Sequence, residues 1–171
     1  MSLDDKLDKL KLKRHLGHVP RGAELRSALD CVLQLVGQLE SVISRLSYVE
    51  EDDIVECSYA EKLRLEKRRL QMELAFWLQE LIRYLVYLNK EVLRCKCNLE
   101  RIRADAEKIK LEQVRDRYSR AERKQETQYR LAVQDRDAVY IVLKKIKVVL
   151  EVSETGQFSG ASFGMQSFLT T

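Results

Sequence analysis

The side chains here that are capable of chemistry fall into three groups, and spacing decides what each can do. Cys95 and Cys97 resemble half of a metal motif. On a helix, however, residues two apart point about 200° from one another, so they cannot hold one ion together. Core and surface thiols are the expectation for this pair. His15 and His18 are three apart beside Gly17, and a tetrahedral metal would still lack two ligands, which leaves them as linker histidines. Lys62, Arg64, Lys67, Arg68 and Arg69 form the third group, a dense basic cluster. It is suited either to phosphates or an acidic protein surface, or to pairing with the acidic run Glu50, Glu51, Asp52 and Asp53 inside the chain.

No nucleophile–base–orienter set, glycine-rich phosphate loop or paired-carboxylate pattern accompanies them. The expectation is a non-enzymatic chain with no cofactor and no metal. Four cysteines in 171 residues read as reduced thiols rather than a disulfide framework. Met1-Ser2-Leu3-Asp4-Asp5 lacks the apolar core of a secretory signal, and Ser2 excludes N-myristoylation. No stretch reaches about eighteen uncharged apolar residues, so no membrane span is expected. These features point to an intracellular setting, cytoplasmic or cytoskeletal.

What positions such groups is legible from two residue types. Between Gln38 and Thr155 there is neither glycine nor proline, where average usage would supply about fourteen. Sheets and enzyme loops need those residues, so the chain is expected to be all-α. The net charge of +4 hides an asymmetry: residues 23–58 carry −6 and residues 59–111 carry +5. An acidic segment followed by a basic one suits a self-pairing helical hairpin.

Leu3, Leu7 and Leu10 predict a short amphipathic helix over 1–16, a docking element for a partner, with residues 17–22 as linker. Leu25, Leu29, Val32, Val36, Leu39, Ile43 and Leu46 follow an unbroken 4-3 spacing. Gly37 inside that helix costs about 1 kcal/mol relative to Ala, which a close helix approach would explain. A turn is expected near 50–58, with Ser58-Tyr59-Ala60-Glu61 as a capping box opening the next helix.

From Leu74 the 4-3 spacing locks again through Leu78, Leu81, Leu85, Leu88, Val92, Cys95, Leu99, Ile102, Ala106 and Ile109, then fails at Gln113 and Asp116. Phe76, Trp77, Ile82, Tyr84, Val86 and Tyr87 make the same helix apolar off the seam, so more than one partner helix must cover it. The half-charged run from Glu112 to Asp137 reads as a solvated helix, and apolar residues return at helical spacing from Val139 to Leu150. Read as one helix, residues 59–152 would span roughly 140 Å. Residues 153–171 change to Gly, Ser, Thr and Phe, with Phe158, Phe163 and Phe168 five apart. They read as a flexible tail.

The expected architecture is an elongated coiled-coil or helical hairpin over 23–152, with a long C-terminal helix. The expected function is that of a structural scaffold or adaptor subunit in a larger assembly, cytoskeletal or ciliary ones being one setting. It would associate with itself or with other coiled-coil and filament proteins through Leu74, Trp77, Leu78, Leu81, Leu85, Leu88 and Val92. The alternative is a nucleic-acid or anionic-surface binder using Lys62 to Arg69. Acids interleaved with the arginines from 115 to 130 argue against a nucleic-acid stripe.

Overall fold

The structure is a computed structural model that describes residues 1–51 and 57–155. It holds four helices: α1 (Leu3–Arg14), α2 (Gly22–Glu51), α3 (Cys57–Glu107) and α4 (Glu112–Thr155). Among the described residues there is no strand, and the fold is all-α.

Helix α1 begins at a capping box that the sequence carries as Ser2-x-x-Asp5. The Asp5 amide donates to Ser2 Oγ at 3.2 Å, and the Ser2 amide donates back to the Asp5 carboxylate at 3.0 Å. The Ser2 hydroxyl, donating to the Asp5 carboxylate at 2.7 Å, and after it the Ser2 amide hold the Asp5 carboxyl below its usual range. Asp4 and Asp5 in the first turn, and Lys11, Lys13 and Arg14 in the last, match the helix dipole. The helix stops where Gly17 takes φ +68°, a left-handed conformation that favours glycine.

Long-range hydrogen bonds fix the directions of the other helices. Arg103 reaches Glu122 and Glu126, both at 2.7 Å, and Gln71 reaches Ser153 at 2.8 Å. Helices α3 and α4 are therefore antiparallel along their whole length. Arg21, just before α2, meets Glu91 at 3.9 Å and Asp135 at 2.8 Å. The far part of α2 meets Leu63 and Glu66 across a groove that Val42 and Arg45 also line. Helix α2 thus runs antiparallel to α3 and parallel to α4.

These three helices share one core. Leu25, Leu29, Val32, Val36, Leu39 and Leu46 of α2 are buried with Leu70, Leu74, Trp77, Leu81, Tyr84 and Leu88 of α3. Helix α4 adds Val139, Val142, Leu143, Ile146 and Val149. Helix α3, 51 residues long, spans about 75 Å, well beyond the reach of α2. Past Leu99 it buries no side chain, and α4 buries none before Ala132. From Glu91, where Arg21 marks the start of α2, to Glu107 the α3–α4 hairpin projects beyond α2 as a two-helix arm of about 24 Å.

Several expectations are corrected. The long helix over 59–152 is broken at residues 108–111, where Lys108 and Ile109 donate to the carbonyls of Asp105 and Ala106 and Arg115 Nε donates to the Ile109 carbonyl at 3.1 Å. The chain reverses there, so the long element is a hairpin half as long. Gly37 is not a close approach: a methyl group placed there meets nothing within 4 Å. Helix α4 continues through Ser153 to Thr155, three residues into the expected tail. Helix α3 starts at Cys57, so Ser58 is already helical and exposed. Residues 52–56 of the expected turn, and the tail with Phe158, Phe163 and Phe168, lie outside the described residues.

Candidate functional site

The seven side chains expected to meet a partner meet their own chain. Leu74, Trp77, Leu81, Leu88 and Val92 are buried, and Leu78 and Leu85 are half-buried against the same core. Helices α2 and α4 occupy the seam that the sequence offers to another protein. As an intermolecular interface these residues are unavailable while the bundle is closed.

Two buried carboxylates, overlooked in the sequence, organise the junction of the four helices. Glu80 of α3 is 2% exposed. A charge so placed is tolerated only with partners, and it forms an ion pair with Arg14 at 2.7 Å and accepts from the Arg83 guanidinium at 3.0 Å. Arg83 also donates to the His18 carbonyl at 3.1 Å, tying the linker to α3. Asp135 of α4, 4% exposed, accepts from Arg21 Nε at 2.8 Å and from the Gly22 amide at 3.2 Å. The only advance signal was periodicity. Ala132, Asp135, Val139, Val142, Ile146, Val149 and Ser153 follow one 3-4 spacing, with polar residues at two seam positions.

Helix α1 docks by charge more than by apolar area. Leu7 is its one buried side chain, with Leu3 and Leu10 half-buried. Lys11 meets Glu73 at 2.6 Å, Lys13 meets Glu24 at 2.7 Å, and Arg14 meets Glu80. Lys11 and Arg14 also sit over the Phe76 ring, 5.3 and 5.0 Å from its centroid. The Lys13 ammonium, followed by His18 at 3.0 Å, holds the Glu24 carboxyl below its usual range against a smaller opposing effect of burial. One buried leucine contributes about 2 kcal/mol and each exposed ion pair less than about 1 kcal/mol. The docked helix is consequently the least tightly held of the four.

The basic cluster lies at the surface of α3. Lys62, Arg64, Arg68 and Arg69 are exposed and Lys67 is half-buried. Arg69 pairs with Glu66 at 2.7 Å, which lowers the Glu66 carboxyl and raises the guanidinium. The side chains of Glu50, Glu51, Asp52 and Asp53, expected to face this cluster, lie outside the described residues. On the same outer side of α3, opposite the core, Leu65, Met72, Val86 and Leu93 are 64%, 76%, 51% and 61% exposed.

The remaining groups are dispersed. Cys31 and Cys95 are buried and Cys97 is exposed. His15 is exposed at the end of α1, and His18 pairs with Glu24. Among the described residues no three His, Cys, Asp or Glu side chains converge as metal ligands, and no helix is long and apolar enough to cross a membrane. No known protein family, curated protein or solved structure matches the chain.

Proposed function

We propose that this chain is a non-enzymatic adaptor or scaffold subunit that binds helical partners along the outer face of α3 within a larger protein assembly. The observation that carries this reading is the exposure of Leu65, Met72, Val86 and Leu93, four large apolar side chains on one helix face. Isolated surface leucines are ordinary, but a row of them along one face costs solubility unless something covers it. The projecting arm supports the same reading, because a hairpin that adds little to its own core serves mainly to present surface. Cytoskeletal or ciliary assemblies, built from long helical parts, are the setting such a subunit fits.

A second reading has its own observation, the exposure of Lys62, Arg64, Arg68 and Arg69. A nucleic-acid or anionic-surface binder would use these four, with affinity falling steeply as salt rises.

Purification of the tagged full chain from its native cells at moderate and high salt, with and without nuclease, separates the two. A stoichiometric protein set that survives both treatments is the expected result. If every partner is lost on nuclease treatment, the second reading replaces the first. Recovery of the chain alone under all conditions overturns the adaptor reading.

A further inference from the structure

We propose that the outer face of α3 is a docking seam for one kind of ligand, an acidic amphipathic helix of a partner protein. This inference rests on the adaptor reading and specifies its partner. Leu65, Met72, Val86 and Leu93 fall on a strict seven-residue repeat whose fifth member is Gln79. Between them Arg68, Ala75, Ile82 and Asn89 complete a 4-3 spacing. Helix α3 therefore carries two heptad seams: one holds α2 and α4, and the other faces solvent except at Ile82, which is half-buried against the core. From Leu65 to Leu93 the second seam covers four heptads, about 42 Å, the length of an ordinary helix laid in a groove.

Charge selects the occupant. Lys62 and Lys90 are exposed at positions flanking the seam, and Arg68 and Lys96 are exposed on the seam's own repeat beside them. Arg69, beside them, has its partner in Glu66, and Glu61 and Glu100, one at each end, are the exposed acids on the same repeats. Positions flanking a heptad seam set partner choice through opposite charges. A second copy laid face to face on this seam would bring its own basic rows against these, which opposes self-pairing. A helix with leucines at the seam and glutamates at its edges satisfies both the apolar row and the basic flanks. The docked α1, seated over Phe76, borders one side of the seam, and α4, held to Gln71 through Ser153, borders the other, so the occupant lies in the groove between them.

The full chain should be titrated, by fluorescence anisotropy, into two labelled synthetic helices of four heptads. Both carry Leu at the seam; one has Glu at the flanking positions and the other Lys. The Glu helix is expected to bind about tenfold or more tightly than the Lys helix, and less tightly as salt rises. The double variant Met72→Glu with Val86→Glu, both at exposed positions and checked for an unchanged thermal melt, should lose that binding. Arg68→Glu with Lys90→Glu should shift preference toward the Lys helix. Equal binding of the two helices, or full binding by the Met72→Glu/Val86→Glu variant, overturns the proposal. Tighter binding of a random single-stranded oligonucleotide overturns it in favour of nucleic acid. A doubled mass in solution that the same variant abolishes overturns it in favour of a second copy.

The cell purification keeps the two claims apart. A partner set retained by the Met72→Glu/Val86→Glu variant leaves the adaptor reading standing and removes this seam from it. A wild-type chain that brings no partner removes the adaptor reading, while the titration still decides the seam.

Discussion

Asp135 accepts a hydrogen bond from the Gly22 amide at 3.2 Å, so a carboxylate of α4 caps the start of α2 from 113 positions away. The same oxygen takes Arg21 Nε at 2.8 Å. A capping carboxylate contributes about 1 kcal/mol, and its burial adds to the loss when it is removed. Arg21 is about a third exposed and can turn to water, which limits the loss. Asp135→Ala should therefore cost about 2 kcal/mol in urea denaturation, and Asp135→Asn about half of that. A cost under roughly 0.5 kcal/mol would show that water serves the α2 terminus as well.

Leu7→Ala removes the one buried side chain of α1. Such a change in a well-packed core costs about 2–5 kcal/mol, but here the loss is capped by the free energy that docks α1. Amides of residues 6–14 should lose hydrogen-exchange protection while those of residues 70–88 keep theirs. Equal loss in both regions would mean that α1 is integral to the bundle.

Acid should release α1 through Glu24. Its carboxyl lies below the ordinary glutamate value of 4.5 because Lys13, and then His18, favour the charged form. A depressed folded pKa stabilises the protein above the unfolded value, and this support disappears as pH falls through the lower folded value. With Glu24 more than a third exposed, the effect is a few tenths of a kcal/mol. Exchange protection of α1 should be flat from neutral pH down to about the ordinary value of 4.5 and fall between there and the lower folded value, and Glu24→Gln should remove the part of the fall due to this residue. The same pH dependence in Glu24→Gln would assign it to other carboxylates.

Gly37→Ala should stabilise the chain by about 0.5–1 kcal/mol, because the position is mid-helix and the added methyl meets nothing within 4 Å. A lower melting temperature would reveal that another surface packs on α2 there.

Leu81→Asp distinguishes an internal seam from an external one. Leu81 is 1% exposed, so the carboxylate would be buried among apolar groups without a partner, at a cost of several kcal/mol. Circular dichroism should show loss of the cooperative melt. Unchanged melting together with a lower mass in solution would return these residues to an intermolecular role.

Where the sequence was informative, one face was apolar without interruption. The 4-3 spacing from Leu25 to Leu46 and from Leu74 to Leu99 maps directly onto buried sides of α2 and α3. The reversal at residues 108–111 was harder to see, because no glycine or proline marks it and no residue there takes a positive φ. Its trace was the failure of the heptad at Gln113, which marks a boundary rather than the continuation of a solvated helix. Helix α4 was read as helical, but its buried face was legible only from Val139 to Leu150, since polar Asp135 and Ser153 at seam positions break the apolar count that reveals a helix face. Of the site, the basic cluster was legible because charge needs no fold to be counted. The outer seam was masked by the stronger inner one on the same helix. Glu80 resembles any exposed helical glutamate until Arg14 and Arg83 are seen converging on it.

The 113-residue separation of Gly22 from its cap also sets an order of events during synthesis. Helix α2 leaves the ribosome with its apolar face complete, yet the carboxylate that caps it is made roughly 4–17 s later at ordinary elongation rates. Through that interval α2 has α3 alone as cover. The nascent chain is thus open to chaperones, and to premature capture by another helix, until α4 folds back and closes the bundle.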